Sequence, residues 1–74
     1  MLEKKIRKYR LMDAHRKLIR QGKLLEARQL LKLLRNGKIS LGLRDTDWAV
    51  EKLCEDAGCH ISYSGRYYTA TAYL

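Results

Sequence analysis

Residues 59–73 read Cys59-His60-Ile61-Ser62-Tyr63-Ser64-Gly65-Arg66-Tyr67-Tyr68-Thr69-Ala70-Thr71-Ala72-Tyr73. Side chains alternate in character along this stretch, a period of two that a β-strand sorts onto opposite faces. Ser64-Gly65 reads as a two-residue hairpin turn, which predicts strands over 59–63 and 66–73. Cys59, Ile61, Tyr68, Ala70 and Ala72 then share the inner face. His60, Ser62, Tyr67, Thr69, Thr71 and Tyr73 line the other.

Working outward, the period upstream changes to that of helices. A third helix is predicted over residues 45–57, with Asp45 or Thr46 as N-cap and Asp47 adding negative charge at its positive end. Ala49, Val50, Leu53, Cys54 and Ala57 face inward in this reading, and Trp48 anchors the edge of their stripe. Lys38-Ile39-Ser40-Leu41-Gly42-Leu43 alternates again and reads as a short strand with Ile39, Leu41 and Leu43 on one face. Residues 24–36 give a helix whose stripe is Leu24, Ala27, Leu30, Leu31 and Leu34, with Arg28, Lys32 and Arg35 turned away.

Residues 2–21 give the first helix, but its apolar positions lie on two sides. Leu2, Ile6 and Tyr9 share one, and Leu11, Met12, His15, Leu18 and Ile19 the other. The basic segment 1–21 therefore either bends near Arg10 or projects from the domain. Gly22, Gly37 and Gly58 each follow a helical pattern, where a left-handed C-cap favours a residue without Cβ. The 74 residues make one small domain. Its fold class is α+β: three helices with a short strand and a C-terminal hairpin.

The order of elements over about residues 24–74, a helix followed at once by a two-stranded hairpin, resembles a winged helix-turn-helix. That resemblance implies DNA binding, with a recognition helix in the major groove and the wing on an adjacent groove or on the backbone.

Charge points the same way. The chain carries 16 Lys and Arg against 8 Asp and Glu, a net +8 with a pI near 9.8. Residues 1–44 hold fourteen of those cations and three acids, a net of +11. Residues 45–57 reverse the sign, with Lys52 alone against Asp45, Asp47, Glu51, Glu55 and Asp56. Such segregation predicts one phosphate-facing surface and one acidic surface.

Since acids repel a polyanion, phosphate contact is expected from the first two helices and the hairpin tip. The residues concerned are Lys4, Lys5, Arg7, Lys8 and Arg10, then Arg16, Lys17, Arg20 and Lys23, then Arg28, Lys32 and Arg35, with Arg66 and Tyr67 at the tip. The leading expectation is a small DNA-binding regulator that takes duplex DNA ahead of RNA. RNA stays open, because outward Tyr67 and Tyr73 could stack on unpaired bases. The alternative is a protein-interaction module, an inhibitor or adaptor of a nucleic-acid-handling machine, that uses Trp48, Glu51, Glu55 and Asp56. A homodimer is a further expectation, because Leu25 and Leu33 flank a stripe already rich in leucine.

Several classes are excluded at this level. No apolar run reaches the roughly 18 residues of a membrane span and the N-terminus has no signal-peptide core, so a cytoplasmic home and no membrane partner are expected. Two cysteines are too few for a disulfide scaffold. Cys54, Cys59 and His60, even with His15, match no common zinc spacing, so neither metal nor cofactor is expected. The cysteines read instead as small apolar core residues. No nucleophile–base pair, converging carboxylates or glycine-rich phosphate loop stands out, and no enzyme activity is expected.

Overall fold

In the computed structural model, which describes residues 3–42, 45–65 and 67–74, the chain forms α1 (Lys4–Arg20), α2 (Leu24–Asn36), β1 (Lys38–Leu41), α3 (Asp45–Asp56), β2 (His60–Ser64) and β3 (Tyr67–Thr71). The strands make one antiparallel sheet in the order β1-β3-β2. Ile39 and Ile61 both stand opposite Ala70, and Leu41 opposite Tyr68. This is the α+β arrangement read from the sequence. Readings placed on Leu2, Leu43 and Arg66, and on the side chains of Asp45 and Thr46, lie outside what the structure describes.

All three helices cover the same face of the sheet. Leu11 and Leu18 of α1, Ala27, Leu30 and Leu33 of α2, and Val50 and Cys54 of α3 close over Ile39, Leu41, Tyr68, Ala70 and Ala72 in one core. The opposite face, carrying Lys38, Ser40, His60, Ser62 and Tyr67, is open. No helix among the described residues is long and apolar enough to cross a membrane.

Helix ends are set by glycine where the sequence placed it. At the end of α3, Gly58 takes φ +90, its N–H donates to the Glu55 carbonyl and that of Cys59 to the Cys54 carbonyl at 2.9 Å. That is the Schellman pair of bonds, and it brings Cys59 back over Cys54. Gly37 ends α2 at φ +80 and turns the chain straight into β1.

Four local readings are corrected. The stripe of α2 is rotated: Leu33 is fully buried, whereas Leu24 and Leu31 are exposed, because α2 is wedged between α1 and β1 and the Ala27-Leu30-Leu33 row faces both. Ile19 and Ala49 are also exposed rather than inward. The first turns of α1 dock on the chain's C-terminal tail instead of projecting, and the helix is continuous. The hairpin turn falls one residue later than read: Ser64 pairs with Tyr67, so the loop opens at Gly65. Glycine there meets the positive φ of a two-residue loop, +59, which serine would adopt only under strain. Moving the loop by one residue shifts cross-strand partners by two, so every side chain keeps its predicted face.

Tyr68 is the one large polar side chain in this core. Its ring is buried and its hydroxyl is enclosed with no hydrogen-bond partner among the described residues. The Tyr63 hydroxyl donates to Glu51 Oε1 at 2.7 Å. Burial first, then the negative charges of Glu51 and Asp47, push the Tyr68 phenol up to about 12. A raised phenol favours the neutral folded form, so its contribution is intact below about pH 10 and is lost as pH climbs towards 12. Tyr68→Phe is therefore expected to be neutral or stabilising by about 1 kcal/mol at pH 7. It should also shift alkaline unfolding, followed by circular dichroism, to higher pH.

Candidate nucleic-acid interface

The cations of α1 do not act as one set. With 100° between successive residues, Lys5, Arg16 and Arg20 fall opposite the buried Leu11 and Leu18. Lys4, Lys5 and Lys8 meet Leu34 of α2 and the C-terminal Leu74 around a cleft of about 210 Å³. Arg10 and Lys17 turn instead towards α3. Arg10 Nη1 donates to the Asp56 carbonyl at 3.1 Å, satisfying one of the carbonyls left open at the end of α3. Lys17 pairs with Asp13 at 3.1 Å one turn earlier, an exposed pair that contributes little.

Arg7 is the clear departure from the sequence reading. It was expected on the phosphate-facing surface and is only 3% exposed. Its Nη2 donates to the Tyr73 carbonyl at 2.8 Å, tying α1 to the far end of the chain. An arginine so placed is structural and is removed from the candidate interface.

Along α2, Arg28, Lys32 and Arg35 recur at helical spacing and are all exposed. With Arg16, Arg20 and Lys23 they leave the outer faces of the α1–α2 pair cationic. None of these six forms an ion pair among the described residues. Leu24 and Leu25 are exposed at the start of α2, and Tyr9 stands out of α1 beside Lys5 and Lys8. Tyr9 was expected on an apolar side of α1. Lys5, one helical turn before it, and the adjacent Lys8 were the available signal.

The acids gather elsewhere. Asp47 is buried and accepts the Gly42 N–H at 2.9 Å, so it fastens the β1–α3 connection rather than facing solvent. Glu51, Lys52 and Glu55 line a shallow depression of about 310 Å³ with Trp48. Trp48, read as a core-edge anchor, is 63% exposed. Asp56 pairs with Lys52 on the same helix. Tyr63 leans from β2 over this surface, and its hydrogen bond to Glu51 raises its phenol above the ordinary value.

Tyr67 is exposed at the start of β3, and Arg66 lies outside the described residues. Cys54 and Cys59 are free thiols. No group of three or more His, Cys, Asp or Glu among the described residues is placed to hold a metal ion. Compared with models of known protein families, with curated proteins and with solved structures, the chain matches none.

Proposed function

We propose that this protein binds duplex DNA through its backbone phosphates, using the exposed cations of α1 and α2. The observation that carries this reading is the segregation of charge in space. Arg16, Arg20, Lys23, Arg28, Lys32 and Arg35 are exposed and lack carboxylate partners among the described residues, while the acids cluster on α3. Each phosphate neutralised releases condensed counterions, so affinity from such a surface falls steeply with salt. The hairpin after α3 supports a wing-like second contact. The acidity of α3 argues against its entering a groove, so phosphate contact rather than base reading supplies most of the affinity, as suits a small regulator of low intrinsic sequence preference.

The test is a titration against a random-sequence duplex at about 50 and 200 mM salt, for the native chain and for Arg16→Ala/Arg20→Ala/Lys23→Ala. Losing three phosphate contacts should reduce the log–log salt slope by about 2.7 and weaken binding at least tenfold at the lower salt. An unchanged slope in the folded triple variant would overturn the reading.

A second reading rests on Trp48, whose exposed indole beside Glu51 and Glu55 suits a basic protein partner. Trp48 is the chain's single tryptophan, so its emission separates the two within the same titration. Duplex held by α1 and α2 leaves that emission unchanged. Quenching or a blue shift on adding an arginine-rich peptide would place the working surface on α3.

A further inference from the structure

The sheet has an uncovered face that the duplex reading touches only at Tyr67, at the hairpin end. Its residues form rows fixed by the register: Lys38, Thr71 and His60 in one, Ser40, Thr69 and Ser62 in the next, and Tyr67 beside Ser64 at the hairpin end. Every side chain in these rows is a hydroxyl, an aromatic ring or a cation, and none is a carboxylate. Serine, threonine and lysine suffice for a sheet face that merely meets water. Two tyrosine rings do not follow from that requirement.

Tyr67 is 63% exposed and lies over Gly42, where a Cβ would come within 3.9 Å of the ring. Tyr73 is 50% exposed at the other end of β3. Its ring centroid is 6.4 Å from that of His60. It is also the one non-glycine residue with positive φ among the described residues, at +50. A bulky residue keeps such a conformation only when its surroundings impose it. Here the imposing contact is the buried Arg7 on the Tyr73 carbonyl. The length of β3, Tyr67–Thr71, lies between the two rings. Between them lie hydroxyl donors and acceptors.

We propose that this open face is a stacking platform for the unpaired bases of a single-stranded nucleic acid. Tyr67 and the Tyr73–His60 pair supply the aromatic planes, and Ser40, Thr69 and Thr71 offer hydrogen bonds between them. Lys38 supplies a cation at the β1 edge. Glu51 and Glu55 stand behind the opposite, β2 edge, and Tyr63 ties Glu51 there. The phosphates therefore run on the Lys38 side. Stacking of this kind tolerates sequence, because every base presents a π-face. A protein partner would need apolar area that these rows do not offer. The inference stands apart from the duplex reading, since it uses no cation of α1 or α2.

Labelled octamers of deoxythymidine and of uridine, titrated at about 50 mM salt, provide the test. Native protein should bind at least one octamer, and the stronger of the two identifies the sugar. Tyr67→Ala and Tyr73→Ala should each weaken that binding between about fivefold and a hundredfold. Tyr67→Phe and Tyr73→Phe keep the ring and should bind as the native chain does. Tyr67→Thr, a good strand former, guards against an effect of misfolding and should lose as much as Tyr67→Ala. Duplex binding should not change in Tyr73→Ala or Tyr73→Phe. Absence of octamer binding by the native chain, or octamer binding that survives both alanine substitutions together, would overturn the proposal. Octamer binding lost only with the Arg16/Arg20/Lys23 variant would overturn it too, while leaving the duplex reading intact.

Discussion

Leu33→Ala is expected to destabilise the domain by about 2–5 kcal/mol, whereas Leu24→Ala should change its stability by less than about 0.5 kcal/mol. A buried leucine cut to alanine loses its transfer free energy and leaves a cavity that a packed core only partly closes. Leu33 is completely enclosed, while Leu24 is 63% exposed. A chain of 74 residues has a total stability of about 4–11 kcal/mol, so the first substitution removes much of it. Urea unfolding at 25 °C followed by circular dichroism measures both. The midpoint should fall sharply for Leu33→Ala with little change in slope, and stay near the native value for Leu24→Ala. A larger cost at Leu24 than at Leu33 would mean that α2 presents the stripe expected from its sequence and that the helix is rotated from the phase described above.

That contrast marks where the sequence was readable. The C-terminal hairpin was legible because alternation has one solution: a residue points in or out, and even an error of one in the loop left both faces intact. The boundaries of α2 were legible from Gly22 and Gly37. Its phase was not, because leucine at 24, 25, 30, 31, 33 and 34 offers several overlapping stripes of similar hydrophobicity. The choice among them is made by α1 and β1, not by α2 itself.

The candidate site divides in the same way. Cations on the outer faces of α1 and α2 were predictable because lysine and arginine stay in water by default. Arg7 breaks that default for a reason no local window contains, a carbonyl 66 positions away. Trp48 was assigned to the core edge from its size. It is exposed because Val50 and Cys54 already fill the space that α3 offers the core.

Arg7 also yields a prediction with two independent readouts. Removing its guanidinium leaves the Tyr73 carbonyl without its 2.8 Å donor, and a hydrogen bond from a charged group contributes about 1.5–3 kcal/mol. Arg7→Met keeps most of the apolar stem and should show that loss alone; Arg7→Ala also loses packing and should be worse. The second readout is a thiol. The Cys54–Cys59 contact at the end of α3 splits the two groups. Cys54 donates to Cys59, which holds the Cys59 thiol below its ordinary value, and the positive charge of Arg7 lowers it further against the opposing effect of burial. Cys54 is pushed well up by the same hydrogen bond and by its own burial. The lowered group favours the folded thiolate, so Cys59 adds stability as pH rises through its folded value, and that contribution is complete above about pH 9. In Arg7→Met one of the two lowering influences is gone. The pH at which Cys59 reacts half-maximally with iodoacetamide should rise, and Cys54 should stay slow in both proteins. Arg7→Lys, which keeps the charge but not the planar fork, should retain more of the Cys59 reactivity than Arg7→Met while still losing stability. A Cys59 profile identical in the native and Arg7→Met proteins would show that the hydrogen bond from Cys54 alone sets this thiol, and that Arg7 acts only as the clasp on Tyr73.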